Sequence, residues 1–396
     1  MFCLYIFHKF SQACINIMQF FIGEAKNRQL LFTIMPCLKF GGAMIVNTLI
    51  EISPRDNNPR NSEGAFLRGK NGEILFAYSR YHGNGFDDGD ACDISLIVSR
   101  DEGKTWGEEK LIAKADDFGV KNVMSVSALE LRDGALAFYF LIKENDLTST
   151  IGRAVSYDGA TFKAERCVCR FPSGYYVINN DRISILSNGK IAAPAAFLPV
   201  SDMSYSSKTA HETLLLSDDG ITFYKADFSF TTKDPINKDF GHQEPGILER
   251  ENDIYMFSRT NYGCQYEAAL SKDLTPIYEP RPSEFTSPPS PMQIKNVGGT
   301  VYAVYNPIPL YNGRKWSWAD GAWGRTPIVI RKSTDGGYTF GKLNILDDDE
   351  NHGYCYPALF PCNDGRMLIS YCCGSAEDGY CLCRLCIREI YTETIE

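Results

Sequence analysis

The stretch SRDEGKTW at residues 99–106 has the form Ser-x-Asp-x-Gly-x-Thr-Trp, and the same form returns at Ser333–Phe340 with Phe in the last place. Two segments that are one residue shorter, Ser156–Phe162 and Ser217–Phe223, keep the same order of residue types, and Ser271–Asp273 is a reduced copy. In such a segment we expect Asp and Ser to bond the turn amides, Gly to take a positive φ, and the aromatic ring to fill the space between strands. We therefore predict a structural role for these Asp residues.

A second pattern recurs with the same period. A turn made from Asn, Asp or Gly precedes an apolar or alternating strand at six places: Asn71-Gly72, Asp133-Gly134, Asn188-Gly189, Asn252-Asp253, Gly298-Gly299 and Asp364-Gly365. Gly72 and Gly365 are 293 residues apart, which is five intervals between the six copies, or about 59 residues per repeat. That length accommodates four strands and their loops. The sequence thus predicts an all-β, six-bladed β-propeller of four-stranded antiparallel blades.

Together these motifs resemble the Asp-box repeats of the sialidase (neuraminidase) superfamily, and the resemblance covers roughly residues 50–390. It implies one propeller domain over residues 44–396. The first strand of such a ring usually completes the last blade, so we expect Met44–Ile52 to pair with the strand near Cys383–Ile390.

Composition excludes several classes of protein. The chain of 396 residues is 44% hydrophobic, which is typical of a globular protein, and its 40 Lys and Arg against 49 Asp and Glu give a net charge of −9. There is no long basic run, so we expect no nucleic acid partner and no anionic membrane partner.

Residues 1–43 differ from the rest of the chain. They are apolar and aromatic, but no Lys or Arg precedes the apolar run, and His8, Lys9, Ser11 and Gln12 interrupt it. A signal peptide or a membrane helix would have a more continuous apolar segment, so we expect no stable membrane insertion. Our interpretation is an N-terminal extension outside the fold; the alternative is a poor export signal or anchor, in which case the protein is secreted.

Cysteine is abundant, with 14 residues, of which Cys372, Cys373, Cys381, Cys383 and Cys386 are close together. We expect Cys381 and Cys383 to lie on one face of a strand, and the thiols to be reduced and to pack as small apolar groups. Reduced thiols suit a cytoplasmic location. A zinc site would need paired Cys-x-x-Cys elements, so no metal is predicted from these residues.

The resemblance also implies a reaction. Sialidases hydrolyse the glycosidic bond of a 2-keto sugar acid, whose carboxylate is held by arginines. A carboxylate nucleophile would be repelled by that anion, so the family uses a Tyr activated by a Glu, with a separate Asp as acid and base. No cofactor is implied, and the expected partner is a glycan or a small glycoside of a sugar acid.

Residues matching these roles can be placed one by one. In the segment before Pro245, Glu244 is the candidate base, and Arg259 follows it by the family's spacing of 15 residues as a candidate carboxylate ligand. Arg325 is the second such ligand, and 31 residues later Tyr356 is the candidate nucleophile. Tyr354 is the alternative nucleophile, because strand alternation would place both tyrosines on one face.

The acid and base role falls on the loop between Tyr81 and Ile94. This loop holds four Asp and three Gly, and Asp88 is our first candidate with Asp90 as the second. A calcium-binding loop and a solvated turn are the alternatives that the residue types leave open.

The sequence departs from the family on the first strand. The Arg-Ile-Pro motif that supplies the third arginine is missing there: Arg60 is two residues away from the expected place, and Glu63 lies near it. Arg182 could supply the third guanidinium from another blade. A Glu would repel a sialic acid carboxylate, so a different keto sugar acid or a neutral sugar is also consistent with the sequence.

Further candidates for the wall of the site are aromatic or polar: Trp316, Trp318, Trp323, Gln265, Tyr266 and Glu267. The sequence therefore predicts a retaining exo-glycosidase of the sialidase type. The alternatives are a related hydrolase for another terminal sugar and a sugar-binding propeller without catalysis.

Overall fold

A computed structural model describes residues 44–202, 205–206, 209–231, 241–311, 321 and 323–396. Residues 1–43, Trp316 and Trp318 lie outside the described residues. The described chain is all-β, as predicted. Its helices are three short 3₁₀ segments, Ala115–Phe118, Ala376–Asp378 and Thr392–Thr394. None of the helices in this described part has the length and apolar character needed to span a bilayer.

The strands follow each other along the chain as antiparallel meanders. After β1 (Val46–Ile52), the first meander contains β2 (Asn61–Arg68), β3 (Ile74–Tyr81), β4 (Cys92–Ser99) and β5 (Lys110–Ala113). The second contains β6 (Asn122–Glu130), β7 (Leu136–Lys143), β8 (Ser149–Ser156) and β9 (Lys163–Arg166). The third contains β10 (Val168–Arg170), β11 (Gly174–Val177), β12 (Ser184–Ile185), β13 (Ile191–Asp202), β14 (Tyr205–Ser206), β15 (His211–Ser217) and β16 (Thr222–Lys225). It departs from a simple meander because β10 pairs parallel with β16 at its edge.

The second half of the chain repeats the arrangement. One sheet contains β17 (Gln243–Glu249), β18 (Ile254–Arg259), β19 (Cys264–Leu270) and β20 (Pro276–Thr286). The next contains β21 (Gln293–Val297), β22 (Thr300–Tyr305), β23 (Ile328–Ser333) and β24 (Asn344–Asp347). The last contains β25 (Cys355–Pro361), β26 (Arg366–Cys372), β27 (Leu385–Tyr391) and β1.

Counted by hydrogen bonding, the described strands form five sheets. The largest of them contains the first two meanders, which a single parallel pair between Cys92 and Asn122 joins. The propeller-like arrangement of antiparallel sheets is confirmed, whereas the number of six blades stays a prediction.

The ring closes through the first and the last of the described strands. Strand β1 pairs antiparallel with β27, with Val46 opposite Ile390 and Ile52 opposite Leu385. Strand β2 also packs against both β6 and β25, so the first meander contacts its successor and the last sheet. The predicted pairing of the first strand with the last sheet is confirmed.

The Asp-box residues make the predicted turn bonds. Asp101 Oδ1 accepts from the Thr105 amide at 2.8 Å, Asp101 Oδ2 accepts from the Thr105 hydroxyl at 2.6 Å, and Ser99 Oγ accepts from the Gly103 amide at 2.8 Å. Gly103 has φ +86°, and the Trp106 ring packs against neighbouring phenylalanines. All three bonds recur at Ser333–Phe340, and the two amide bonds recur at Ser156–Phe162 and Ser217–Phe223. The predicted structural role of these Asp residues is confirmed.

The cysteine cluster differs in detail from the expectation. Cys381 and Cys383 lie in a turn between β26 and β27 rather than on a strand. The turn forms because the Cys383 amide donates a hydrogen bond to the Tyr380 carbonyl. The Cys381 amide donates to the Gly321 carbonyl instead of to a neighbouring strand. The described cysteines are free thiols, and most of them are buried.

Candidate active site

An unusual backbone occurs near the beginning of several inner strands and in the turn before β12. Five non-glycine residues there have positive φ: Glu63 (52°), Ser125 (61°), Asp181 (54°), Glu244 (46°) and Tyr356 (58°). Strand register shifts beside all of them except Asp181. Left-handed conformations are costly for large side chains and are retained where the surroundings enforce them, often at functional sites. Each bulge breaks the strand alternation and redirects one side chain.

Four of these five side chains line one cavity of about 420 Å³. Asp181 does not, because its carboxylate accepts bonds from Gln293, Lys295 and the Leu359 amide and so joins three meanders. The cavity is lined by Glu63, Asp87, Asp88, Met124, Ser125, Leu141, Tyr175, Val177, Asn179, Gln243, Glu244, Arg259, Trp323, Arg325, Tyr356, Tyr380 and Leu382. The sequence therefore predicted much of its polar lining.

A buried hydrogen-bonded chain lies at the centre of this cavity. The Tyr356 hydroxyl donates to Glu244 Oε1 at 2.8 Å, and Arg259 Nη1 donates to Glu244 Oε2 at 2.7 Å. Burial raises the pKa of Tyr356 well above its ordinary value; Glu244 adds to this effect, and Arg325 and Arg259 oppose it. The resting tyrosine is therefore neutral, and its proton already points at the carboxylate that would accept it.

Arg325 is also buried in the cavity wall. Its Nη1 donates to Cys355 Sγ at 3.2 Å and its Nη2 to the Pro289 carbonyl at 3.1 Å. The guanidinium lies 4.9 Å from the Trp323 ring centre, which fixes its plane. It makes no ion pair with a carboxylate among the residues that the structure describes. Arg325 thus offers a positive charge to a ligand.

Asp88 reaches the cavity from the loop after β3. Its Oδ1 accepts from Arg60 Nη1 at 2.7 Å, and Arg60 is fully buried beneath it. Desolvation acts to raise the pKa of Asp88, but the Arg60 guanidinium outweighs it and lowers that pKa. Asp88 is therefore placed at the site in its ionised form.

Glu63 lies close to the same arginine. Its Oε2 accepts from Ser62 Oγ at 2.8 Å and from Arg60 Nη2 at 3.2 Å. Burial raises the pKa of Glu63 to about 7, with contributions from Asp88 and Glu244 and opposition from Arg60 and Ser62. This carboxyl group changes its charge near neutral pH.

Seven predicted residues of the described chain are not part of the cavity lining: Arg60, Asp90, Arg182, Tyr266, Tyr354, Gln265 and Glu267. Arg60 lies behind the lining, the Gln265 amide donates to Ser287 Oγ, and Glu267 pairs with Arg281. Asp90 Oδ1 accepts from Lys121 Nζ at 3.1 Å and Asp90 Oδ2 from the Asp87 amide at 2.9 Å, which holds the loop together. Arg182 donates to the Met292 carbonyl and stacks on Phe257 at 5.1 Å.

The two tyrosines also point elsewhere. Tyr354 packs in the core against Tyr371, since the left-handed residue Tyr356 breaks the alternation that would have put both on one face. The ring of Tyr266 contacts His242 and Tyr262.

Sequence reasoning missed the other ten residues of the cavity lining, Tyr380 and Ser125 among them, and also Asn180 next to the lining residue Asn179. Tyr380 donates to the Phe86 carbonyl and accepts from Arg60, Ser125 faces Glu63, and Asn180 Nδ2 donates to the carbonyls of Gly64 and Tyr356 at 2.9 and 3.1 Å. No local motif marks them, because each contact joins distant parts of the chain.

Within the described ranges, no group of three or more His, Cys, Asp or Glu is placed to hold a metal ion.

The comparisons with known proteins concern the whole fold. Residues 74–369 match the family model described as "BNR repeat-like domain". A comparison with curated proteins gave no match.

Many solved structures are similar. A Hadza microbial sialidase superposes with a TM-score of 0.65 at 17% identity, covering 85% of this chain and 66% of that one. A protein of unknown function from Dyadobacter fermentans gives 0.63 at 17% identity, covering 87% of this chain and 99% of that one. The leech intramolecular trans-sialidase gives a TM-score of 0.63 at 12% identity, covering 94% of this chain and 73% of that one.

At these identities the superpositions establish the fold alone, whereas the family model covers well over half of the chain. The chain therefore belongs to the BNR repeat-like family, and its fold is that of the sialidase-like β-propellers.

Proposed function

We propose that the chain is a retaining glycoside hydrolase of the sialidase type, with Tyr356 as nucleophile and Glu244 as its base. The observation that carries the proposal is the 2.8 Å bond from the Tyr356 hydroxyl to Glu244 Oε1 inside the cavity. A neutral tyrosine is a poor nucleophile, and a carboxylate at this distance can take its proton as the oxygen attacks.

The reaction would proceed in two displacements. The Tyr356 oxygen attacks the anomeric carbon, the bond to the leaving oxygen breaks, and an acid protonates that oxygen. Water then attacks the same carbon from the side opposite Tyr356 and gives its proton to the deprotonated acid group, which now acts as the base. Tyr356 leaves and recovers its proton from Glu244, so that the configuration is retained.

Asp88 is the candidate for the acid and base role. Because Arg60 lowers the pKa of Asp88, the resting residue is the carboxylate, which can accept a proton from the attacking water. Its protonated form, which donates to the leaving oxygen, becomes populated only as the pH falls. Arg259 stabilises the Glu244 carboxylate, and Arg325 offers its charge to an acidic or polar group of the substrate.

The test is hydrolysis of a panel of fluorogenic glycosides, beginning with an α-sialoside, by the full chain and two matched variants. Tyr356→Phe removes the cavity hydroxyl, whereas Tyr354→Phe removes a hydroxyl from the core beside it. We expect kcat to fall about 10³-fold or more in the first variant and to change little in the second. NMR of the first-formed sugar should show retained configuration.

A folded Tyr356→Phe variant with full activity would refute the assignment. If the folded chain cleaves no member of the panel but binds sugars, the alternative of a non-catalytic sugar-binding propeller is favoured. The presence of Glu63 in the cavity is the observation that supports a sugar other than sialic acid.

A further inference from the structure

Glu63 is built into the cavity wall. It is one of the left-handed residues at the strand bulges, with φ 52°, and only 3% of its surface is exposed. The bulge in β2 directs its carboxyl group into the cavity that Tyr356 and Glu244 also line. A buried carboxyl group held by a strained backbone needs a specific reason to be retained.

The two oxygens of Glu63 are bonded unequally. Oε2 has two partners, Ser62 Oγ and Arg60 Nη2, at 2.8 and 3.2 Å. Oε1 has a single long contact, 3.5 Å from Ser125 Oγ. An ionised carboxylate can accept about four hydrogen bonds, so Oε1 retains capacity for a donor inside the cavity.

The charges around Glu63 disfavour an anion beside it. Four carboxyl side chains line the cavity, namely Glu63, Asp87, Asp88 and Glu244. Of the nearby guanidinium groups, Arg259 is paired with Glu244, and Arg60 is shared by Asp88 and Glu63.

We propose that Glu63 is a specificity-determining residue, which accepts a hydrogen bond from a neutral hydroxyl group of the sugar through Oε1 and excludes a carboxylate at that position. The proposal rests on the proposed glycosidase function and narrows its substrate. An acid group of the sugar is accommodated only at another position, such as in front of Arg325.

The experiment uses fluorogenic glycosides in matched pairs, each a carboxylate sugar and its carboxyl-reduced analogue. The pairs are a sialoside with its hydroxymethyl counterpart, and hexuronides with the corresponding hexosides. The full chain is compared with Glu63→Gln, which keeps the shape of the side chain, and with Glu130→Gln, an exposed control at the end of β6.

At pH 8 we expect the unsubstituted protein to cleave the neutral member of a pair more efficiently. Glu63→Gln should lower kcat/KM for the neutral member by about 10–100-fold, because a charge-assisted hydrogen bond becomes a neutral one, and it should narrow the preference within the pair. Glu130→Gln should leave both values unchanged.

The proposal is overturned if the unsubstituted protein prefers the carboxylate member of every pair that it cleaves, or if Glu63→Gln leaves the preference unchanged. Failure of the proposed function has a different signature, namely cleavage that survives Tyr356→Phe or no cleavage at all. In the latter case calorimetric binding of the same pairs decides. The role of Glu63 is supported if Glu63→Gln binds the neutral member more weakly than the unsubstituted protein does. It is overturned if the unsubstituted protein binds both members of a pair equally, or if it binds neither.

Discussion

Replacing Glu63 by Gln should change how the stability of the protein depends on pH. Burial raises the pKa of Glu63 from 4.5 to about 7, so the folded state holds this proton more tightly than the unfolded chain does. The contribution of Glu63 to stability is therefore complete below pH 4.5 and is lost progressively as the pH rises through 7.

The size of this loss follows from the shift. A change of one pKa unit corresponds to about 1.4 kcal/mol, so ionisation of Glu63 costs the folded state about 3 kcal/mol by pH 8. Glu63→Gln has no proton to lose at this position. We expect the free energy of unfolding of the variant, relative to the unsubstituted protein, to increase by about 3 kcal/mol between pH 4.5 and pH 8.

The assay is urea denaturation of both proteins at several pH values between 4.5 and 8, followed by tryptophan fluorescence, with the m-values compared to confirm that the same surface unfolds. Glu130→Gln serves as the control, because Glu130 is exposed and its curve should run parallel to that of the unsubstituted protein. The difference in free energy of unfolding between Glu63→Gln and the unsubstituted protein could instead stay constant or decrease towards pH 8. That result would show that Glu63 is not held in a desolvated carboxyl site.

Two further predictions concern residues around the proposed catalytic pair, Tyr356 and Glu244, and in the turns. Asn180→Ala removes the bonds to the carbonyls of Gly64 and Tyr356, so we expect the free energy of unfolding in denaturant titration to fall by about 1–3 kcal/mol. We also expect a lower kcat, and an unchanged kcat would mean that other contacts hold the Tyr356 backbone. Asp101→Ala removes two bonds to Thr105 far from the cavity, so the free energy of unfolding should fall by about 1–2 kcal/mol. The activity per folded molecule should be unchanged, and a loss of specific activity would contradict a purely structural role.

The parts of the fold that sequence predicts well are those with local causes. In the Asp-box, all the partners lie within eight residues, so Asp101 and Thr105 identify the turn without knowledge of the rest of the chain. Glu244 and Arg259 belong to the two strands of one hairpin, in which Gln243 lies opposite Arg259, and a fixed spacing therefore brings them together.

The parts of the structure that the sequence predicts poorly depend on single backbone angles or on contacts between distant parts of the chain. Tyr354 and Tyr356 would share a face on a regular strand, but φ of 58° at Tyr356 separates them. Arg182 precedes an inner strand, as expected, yet its guanidinium bonds the Met292 carbonyl and stays outside the cavity. Nothing in the neighbouring residues of Arg182 indicates that contact.

The pairing of β1 with β27 has a consequence for synthesis of the protein in the cell. Val46 and its partner Ile390 are separated by most of the chain, so β1 leaves the ribosome long before β27 exists. At ordinary translation rates the delay is roughly 15–70 s. During that time β1 lacks its partner in the newly made chain, and the ring can close only after β27 has been synthesised. Chaperones that shield single β-strands would therefore have most effect on the yield of this protein during that interval.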